Sequence, residues 1–270
     1  MDKDFALLYG IMLGDGCIGK YKRKDRENGF YYNVCITCNA NDDWPFINSV
    51  VLPLLKRFTG RDIKPRKANP GKNVIQLNFS DKGLFSKLDK TGFPVGKKGT
   101  KITIPNIFYK RKLIKYLLQG FFATDGSFFL IKNPNKYYPR LEIQVISKDL
   151  LKEFYIYLNN LGIKTHFYMS KSNKPKKWKN EFQRYRIQIN GKKNLILFRN
   201  KVGFVNPKQE NKFKNFIKYD LLYNKTIKGI PANQQKFVRI EGFLRMALRG
   251  FEPPITSFLK KFHETRVLPD

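Results

Sequence analysis

The chain has 270 residues, is 41% hydrophobic and 15% aromatic, and carries a formal net charge of +32. That apolar content excludes a disordered basic tail, and no apolar run approaches the ~20 residues of a membrane span. So large a basic excess points to a polyanionic partner, although a lysine-biased composition accounts for part of it.

The N-terminal MDKDFALLYG has acidic residues before its apolar run and no cleavage site, so a secretory signal is not expected. Three cysteines, an odd and sparse set, predict a reducing intracellular compartment, either cytoplasm or organelle. The first element is LLYGIMLGDG, Leu7 to Gly16, apolar enough to be a buried helix. Gly10 and Gly14 interrupt it at roughly 1 kcal/mol each, and it ends on Asp15, where a helix presents its negative pole. Small residues four apart leave a groove on one helix face, along which a second backbone can approach. The basic run KYKRKDR follows, and Lys20, Lys22, Arg23 and Lys24 are candidate phosphate contacts.

The strand YYNVCIT alternates Tyr32, Val34 and Ile36 with Tyr31, Asn33, Cys35 and Thr37. Cys35 and Cys38 have CxxC spacing. They face opposite sides of the strand pattern and no second pair exists, so a strand is expected rather than a zinc site. A helical pattern, DDWPFINSVVLPLLKRF, is followed by Lys64 and Arg66 and then by the strand VIQLNFS. Its inward set is Ile75, Leu77 and Phe79, and its outward set Gln76, Asn78 and Ser80. The first half closes on TGFPVGKK.

The chain then repeats itself. LLQGFFATDG, Leu117 to Gly126, matches the first motif at five of ten positions, 110 residues on. Lys132 follows it, and then the strand RLEIQV, with Arg140, Glu142 and Gln144 outward, and a helical run. The loop KSNKPKKWK offers Lys171, Lys174, Lys176 and Lys177 as phosphate contacts. In the strand RYRIQIN, Arg184, Arg186, Gln188 and Asn190 point outward, and the second half closes on VGFVNPKQENK. Outward faces of Arg, Gln and Asn are suited to base edges in a major groove, where a two-stranded ribbon fits. The expected fold is α+β, two pseudo-symmetric αββαββα halves, each with an antiparallel sheet. The first half is residues 1–105, the second 106–223, and residues 224–270 form a helical extension with two short helices split by Pro253 and Pro254.

Two glycine-grooved helices packed at a pseudo-twofold axis bring Asp15 and Asp125 together. Adjacent carboxylates at two negative helix ends repel unless a cation lies between them. A hard divalent ion with oxygen ligands, Mg²⁺ beside phosphate, suits that place, and such ions activate water and stabilise a leaving oxygen.

These residues resemble the paired motifs of the LAGLIDADG homing endonucleases in their single-chain, double-motif form. The resemblance implies a monomer that saddles double-stranded DNA on two antiparallel sheets and cuts both strands across the minor groove of a long asymmetric site, leaving 3′ overhangs. It implies Mg²⁺ as cofactor, with Mn²⁺ substituting and Ca²⁺ binding without cleavage. Asp15 and Asp125 match the acidic residue before each motif's last glycine, and Gly14 and Thr124 the metal-binding main-chain carbonyls. For the basic residue near each scissile phosphate the best matches are Lys97 and Lys208, with Lys98 a rival to Lys97. An RNA maturase on the same fold, with intron RNA as partner, or a non-cleaving DNA-binding protein, is the alternative. A structural RNA-binding protein of the ribosome leaves the paired motifs unexplained. The chain closes on RVLPD without the terminal residues of protein splicing, so an intein is not expected.

Overall fold

The computed structural model describes residues 2–23, 29–68, 73–133, 136–170 and 183–227. Each half runs helix, two strands, helix, two strands, helix. In the first these are α1 (Lys3–Asp15), β1 (Gly16–Lys22) and β2 (Phe30–Asn39), then a helical run of α2 (Trp44–Phe46), a wider π turn (Ile47–Val51) and α3 (Leu52–Thr59). The half is completed by β3 (Arg66–Lys67), β4 (Val74–Ser80) and α4 (Lys82–Lys90). A short α5 (Asn106–Lys110) leads to the second half: α6 (Ile114–Asp125), β5 (Gly126–Asn133), β6 (Lys136–Val145), α7 (Lys148–Asn160), β7 (Thr165–Ser170), β8 (Arg184–Asn190) and α8 (Lys192–Lys201). The last helix is α9 (Pro207–Ile227). Both sheets have the same order, β1-β2-β4-β3 and β5-β6-β8-β7, and their recorded pairings are antiparallel. The two αββαββα repeats read in the sequence are therefore the architecture.

By contact density, Met1–Phe128 and Arg140–Glu210 make one compact unit, which holds both motif helices; Phe129–Pro139 and the chain from Asn211 fall in another. Helix ends are fixed locally. Asp2 caps α1 by accepting from Phe5 N at 2.8 Å, and Asp81 caps α4 by accepting from Leu84 N at 2.8 Å. Apolar strand faces turn toward the helices, burying Val34, Ile36, Leu77, Leu141, Ile143, Ile187 and Ile189. Aromatic pairs fill the space beneath, with Tyr9 4.8 Å from Phe108 and 5.5 Å from Phe93 in the first half. In the second, Phe122 is 5.0 Å from Phe198 and Phe121 5.1 Å from Phe154. No helix among the described residues is long and apolar enough to cross a membrane.

Candidate active site and nucleic-acid faces

Helices α1 and α6 pack against each other, and their glycines decide how closely. A Cβ on Gly10 would lie 2.8 Å from Phe121 N and closer still to the Leu117 carbonyl. One on Gly120 would lie 2.8 Å from Ile11 N and closer to the Leu7 carbonyl. The contact is reciprocal and backbone to backbone, so the helix-propensity cost of these glycines is the condition for it. At the next turn Gly14 abuts Thr124, whose hydroxyl donates back to the Phe121 carbonyl at 2.9 Å.

The pairing carries both helix C-termini to one place. Asp125 Oδ2 would lie 2.9 Å from a Cβ on Gly14. Burial raises the Asp15 carboxyl to about 7, with Asp125 and then Asp43 adding repulsion and Lys98 opposing. Asp125 is raised to about 6, again by burial and against Lys98. Among the described residues no group of three His, Cys, Asp or Glu side chains is placed to hold an ion. Two half-buried carboxylates beside main-chain carbonyls nevertheless fit Mg²⁺, which binds through one or two carboxylates and takes its other ligands from water and substrate phosphate. The three cysteines are free, and burial pushes the Cys38 thiol up to about 12.

The lysines fall differently from their order in the sequence. The Lys98 ammonium donates to the Leu13 carbonyl at 2.7 Å, to Met12 at 3.3 Å and to Gly14. It thus sits at the negative pole of α1. The preceding turn delivers it there, because Gly96 N donates to the Ile18 carbonyl at 2.8 Å and Phe93 packs on Tyr9. Lys97, by contrast, is exposed. In the second half Lys208 pairs with Asp42 at 2.9 Å, an exposed contact. The residue that reaches the end of α6 is Gln209, whose amide donates to Phe122 O at 2.8 Å and Gly126 O at 2.9 Å, while Asn206 donates to Ala123 O at 2.9 Å. The residues that reach the two helix ends are therefore Lys98, the rival to Lys97, and Gln209, while Lys97 and Lys208 lie further out at the surface. Neither Asn206 nor Gln209 is among the site residues read from sequence.

The outward strand faces are assembled row by row. In the first sheet Arg66, Gln76 and Thr37 lie in register across three strands; Asn78 lies beside Cys35, which pairs with Cys17, and Ser80 beside Asn33. Lys64 is exposed in the loop before β3. Lys20 and Lys22 alternate onto the opposite face with Ile18. The Lys20 ammonium lies 4.4 Å from the Phe30 ring centre and 5.9 Å from that of Tyr32, so it does not join the row of Asn33. Arg23 stacks over Tyr31 at 4.6 Å.

The second sheet places Gln144, Arg186 and Tyr168 in one row and Glu142, Gln188 and His166 in the next. Glu142 accepts from Gln188 at 2.7 Å and lies 3.3 Å from Arg186 Nε; Ser170 accepts from Arg186 at 3.1 Å and Gln144 at 3.2 Å. Gln188 is buried under this network, contrary to the exposed place that strand alternation predicts. Arg140 donates to Asn190 at 2.6 Å, and Arg184 is exposed. Tyr168 and His166 were missed, although the same alternation in THFYMS marks them. Lys24, Lys171, Lys174, Lys176, Lys177 and the side chain of Lys132 lie outside the described residues, as do Pro253 and Pro254.

Residues 112–203 match the family model described as a LAGLIDADG-like domain. Over 275 residues the chain is 30% identical to a segment of the translation initiation factor IF-2 of Methanocaldococcus jannaschii, 95% of this chain and 20% of that protein. It is 27% identical over 241 residues to a segment of a DNA polymerase of the same organism, 83% of this chain and 13% of that protein. The chain thus spans a fifth or less of these relatives. Among solved structures, its fold is similar to that of the meganuclease I-SmaMI bound to uncleavable DNA, with TM-score 0.57, 14% identity, and 92% of this chain and 98% of that one covered. I-SmaMI is also known bound to uncleaved DNA in the presence of calcium ions. A variant of the homing endonuclease I-DmoI aligns with TM-score 0.50 and 20% identity, over 74% of this chain and 95% of that one.

Proposed function

This chain is a double-motif protein of the LAGLIDADG family, and from that premise we propose that it is a site-specific DNA endonuclease making a metal-dependent double-strand break. The observation that carries the reading is the meeting of Asp15 and Asp125 at the ends of two glycine-locked helices. A structural helix pair has no use for two half-buried carboxylates at its negative poles. The residue halves 1–105 and 106–223 would act as a pseudo-dimer, each sheet reading one half of a long asymmetric target, with a 3′ overhang at the cut. The second sheet is richer in arginine, and its half-site is expected to be the more G-rich.

Asp15 and Asp125, with the main-chain oxygens of Gly14 and Thr124, would hold Mg²⁺, or Mn²⁺ in its place. When bound, the ion supplies Lewis acidity and an activated water at the phosphodiester. The chain's own part is to fix the two carboxylates, set a positive charge at the end of α1 and present polar strand faces to base edges. Matches to segments of a translation factor and a DNA polymerase, proteins of unrelated activity, support a module carried within different host genes.

The test joins the sequences flanking this gene into one duplex and incubates it with the protein in Mg²⁺ and, separately, in Ca²⁺. Staggered 3′ ends in Mg²⁺, with binding but no cut in Ca²⁺, are expected. Tight binding without a cut in either metal would replace the nuclease by a maturase or a non-cleaving regulator.

A further inference from the structure

All three cysteines fall in the first half, on one strand pair, and the structure sorts them. Cys17 stands in β1, two residues after Asp15, and is exposed; Cys35 and Cys38 are buried in β2. Cys38 is three along from Cys35, so it turns to the opposite face, beside Ile75. Cys17 and Cys35 lie directly opposite each other in the ladder. Arg23 N donates to the Gly29 carbonyl at 2.8 Å. Counting back along the register makes 17 and 35 a hydrogen-bonded pair as well, with Cα atoms about 5.5 Å apart. A disulfide spans Cα separations of roughly 4.4–6.8 Å. The Cys35 thiol is in hydrogen-bond contact with that of Cys17 and lies 3.8 Å from Thr37 Oγ1. Two thiols in contact, one of them open to solvent, have oxidation as their shared chemistry.

Their place gives that chemistry a consequence. Opposed Cβ atoms in such a pair are about 5.5 Å apart, and a disulfide holds them at about 3.8 Å. Closing the bond therefore draws β1 and β2 together by more than an ångström at Cys17. The strand continues straight from α1 through Gly16, which sits against Met12 with no room even for a Cβ. With so little slack, the shift is passed to Asp15. A misplacement of about 1 Å in a reacting constellation costs about 10² in rate.

Resting on the endonuclease reading for its consequence, we propose that Cys17 and Cys35 are a reversible redox modification site, joined by reaction with a low-molecular-weight disulfide, and that the joined form cuts its target about a hundredfold more slowly. The Cys17 thiolate attacks one sulfur of the reagent, whose S–S bond breaks, and the first thiol leaves with a proton. Cys35 then attacks the Cys17 sulfur of the mixed disulfide, and the second thiol leaves with the other proton. The chain has lost two protons and two electrons, and the reagent has gained them. Excess dithiol runs both exchanges backwards.

The test treats the full chain with oxidised glutathione, alkylates the remaining thiols and maps peptides by mass. The expected product is a Cys17–Cys35 link, two hydrogens lighter than the dithiol, with Cys38 alkylated after unfolding. Cys35→Ser should trap glutathione on Cys17, Cys17→Ser should give no link, and Cys38→Ser should form the link as the unaltered chain does. Single-turnover cleavage in Mg²⁺ should fall about 10² in the linked form and return with dithiothreitol. Cys17→Ser should cut at the reduced rate under either treatment. Glutathione retained on Cys17 of the unaltered chain, or Cys38 found in the link, would overturn the site. A linked form that cuts within twofold of the reduced one would overturn the slowing and leave the nuclease intact. If the reduced protein cuts nothing, the endonuclease reading falls and the slowing with it, while the link stands or falls by mass alone.

Discussion

Replacing Asp15 by Asn should stabilise the metal-free protein while abolishing cleavage. The folded-state carboxyl sits at about 7 against an ordinary 3.8, raised by burial and then by Asp125. An acid raised on folding takes up a proton as the chain folds. Its contribution to stability is therefore full below pH ~4, falls as pH rises through the window between these values, and is lost above ~7. Three pH units correspond to about 4 kcal/mol. Asn keeps the shape without the charge but leaves an amide incompletely paired, at ~1–3 kcal/mol. The net gain at pH 8 is then roughly 1–3 kcal/mol, a rise in Tm of about 3–10 °C for a chain of this size. Thermal unfolding in a chelator at pH 5 and pH 8 measures it: the variant should gain at pH 8 and show little or no advantage at pH 5. Added Mg²⁺ should raise the Tm of the unaltered protein and leave that of Asp15→Asn unmoved. A variant less stable at pH 8 would mean that the carboxylate is held by favourable partners, and the reasoning that assigns it to a cation would fail.

Other outcomes follow from single contacts. Gly10→Ala should destabilise by roughly 2–3 kcal/mol, because its Cβ meets the backbone of α6; Gly99→Ala, with open space around it, should stay within ~0.5 kcal/mol, and equal effects in chemical denaturation would remove the close-packing account. Arg186→Ala should cost ~1–3 kcal/mol of discrimination at one base pair of the half-site facing the second sheet, and a base-substitution scan with unchanged preferences would take Arg186 out of the reading face. Lys20→Met should leave target affinity within twofold and the salt slope unchanged, since its ammonium lies over Phe30 and Tyr32; a slope shallower by one would put Lys20 on a phosphate.

The topology was readable because two simple signals agreed. Period-two alternation identified the apolar faces of β2, β4, β6 and β8, and the return of LLYGIMLGDG as LLQGFFATDG identified the repeat. The close approach at Gly10 and Gly120 was legible for the same reason, since glycine four before another small residue has few other uses in a buried helix. What failed to read through was set by tertiary geometry. Aligning the two closing turns by their lysines paired Lys97 with Lys208, but one turn bridges Val95 to Ile18 and bends at Gly96 (φ 87°) while the other begins a helix, and the residues that reach the helix ends are Lys98 and Gln209. Alternation told which face Gln188 is on and could not tell that Glu142 and Arg186 would close over it. For Lys20 the pattern itself was sufficient to place it on the face of Ile18.

The reciprocal glycine contact also works as a gauge. Because α1 and α6 meet backbone to backbone, the separation of the main chains at Asp15 and Asp125 is set by peptide geometry. Strand faces lie on other elements, so under the proposed function residues such as Arg66, Gln76 or Arg186 could change without altering the spacing of the two helix ends. Side chains on the strand faces are replaceable in such a design, and the ruler is cast in the main chain.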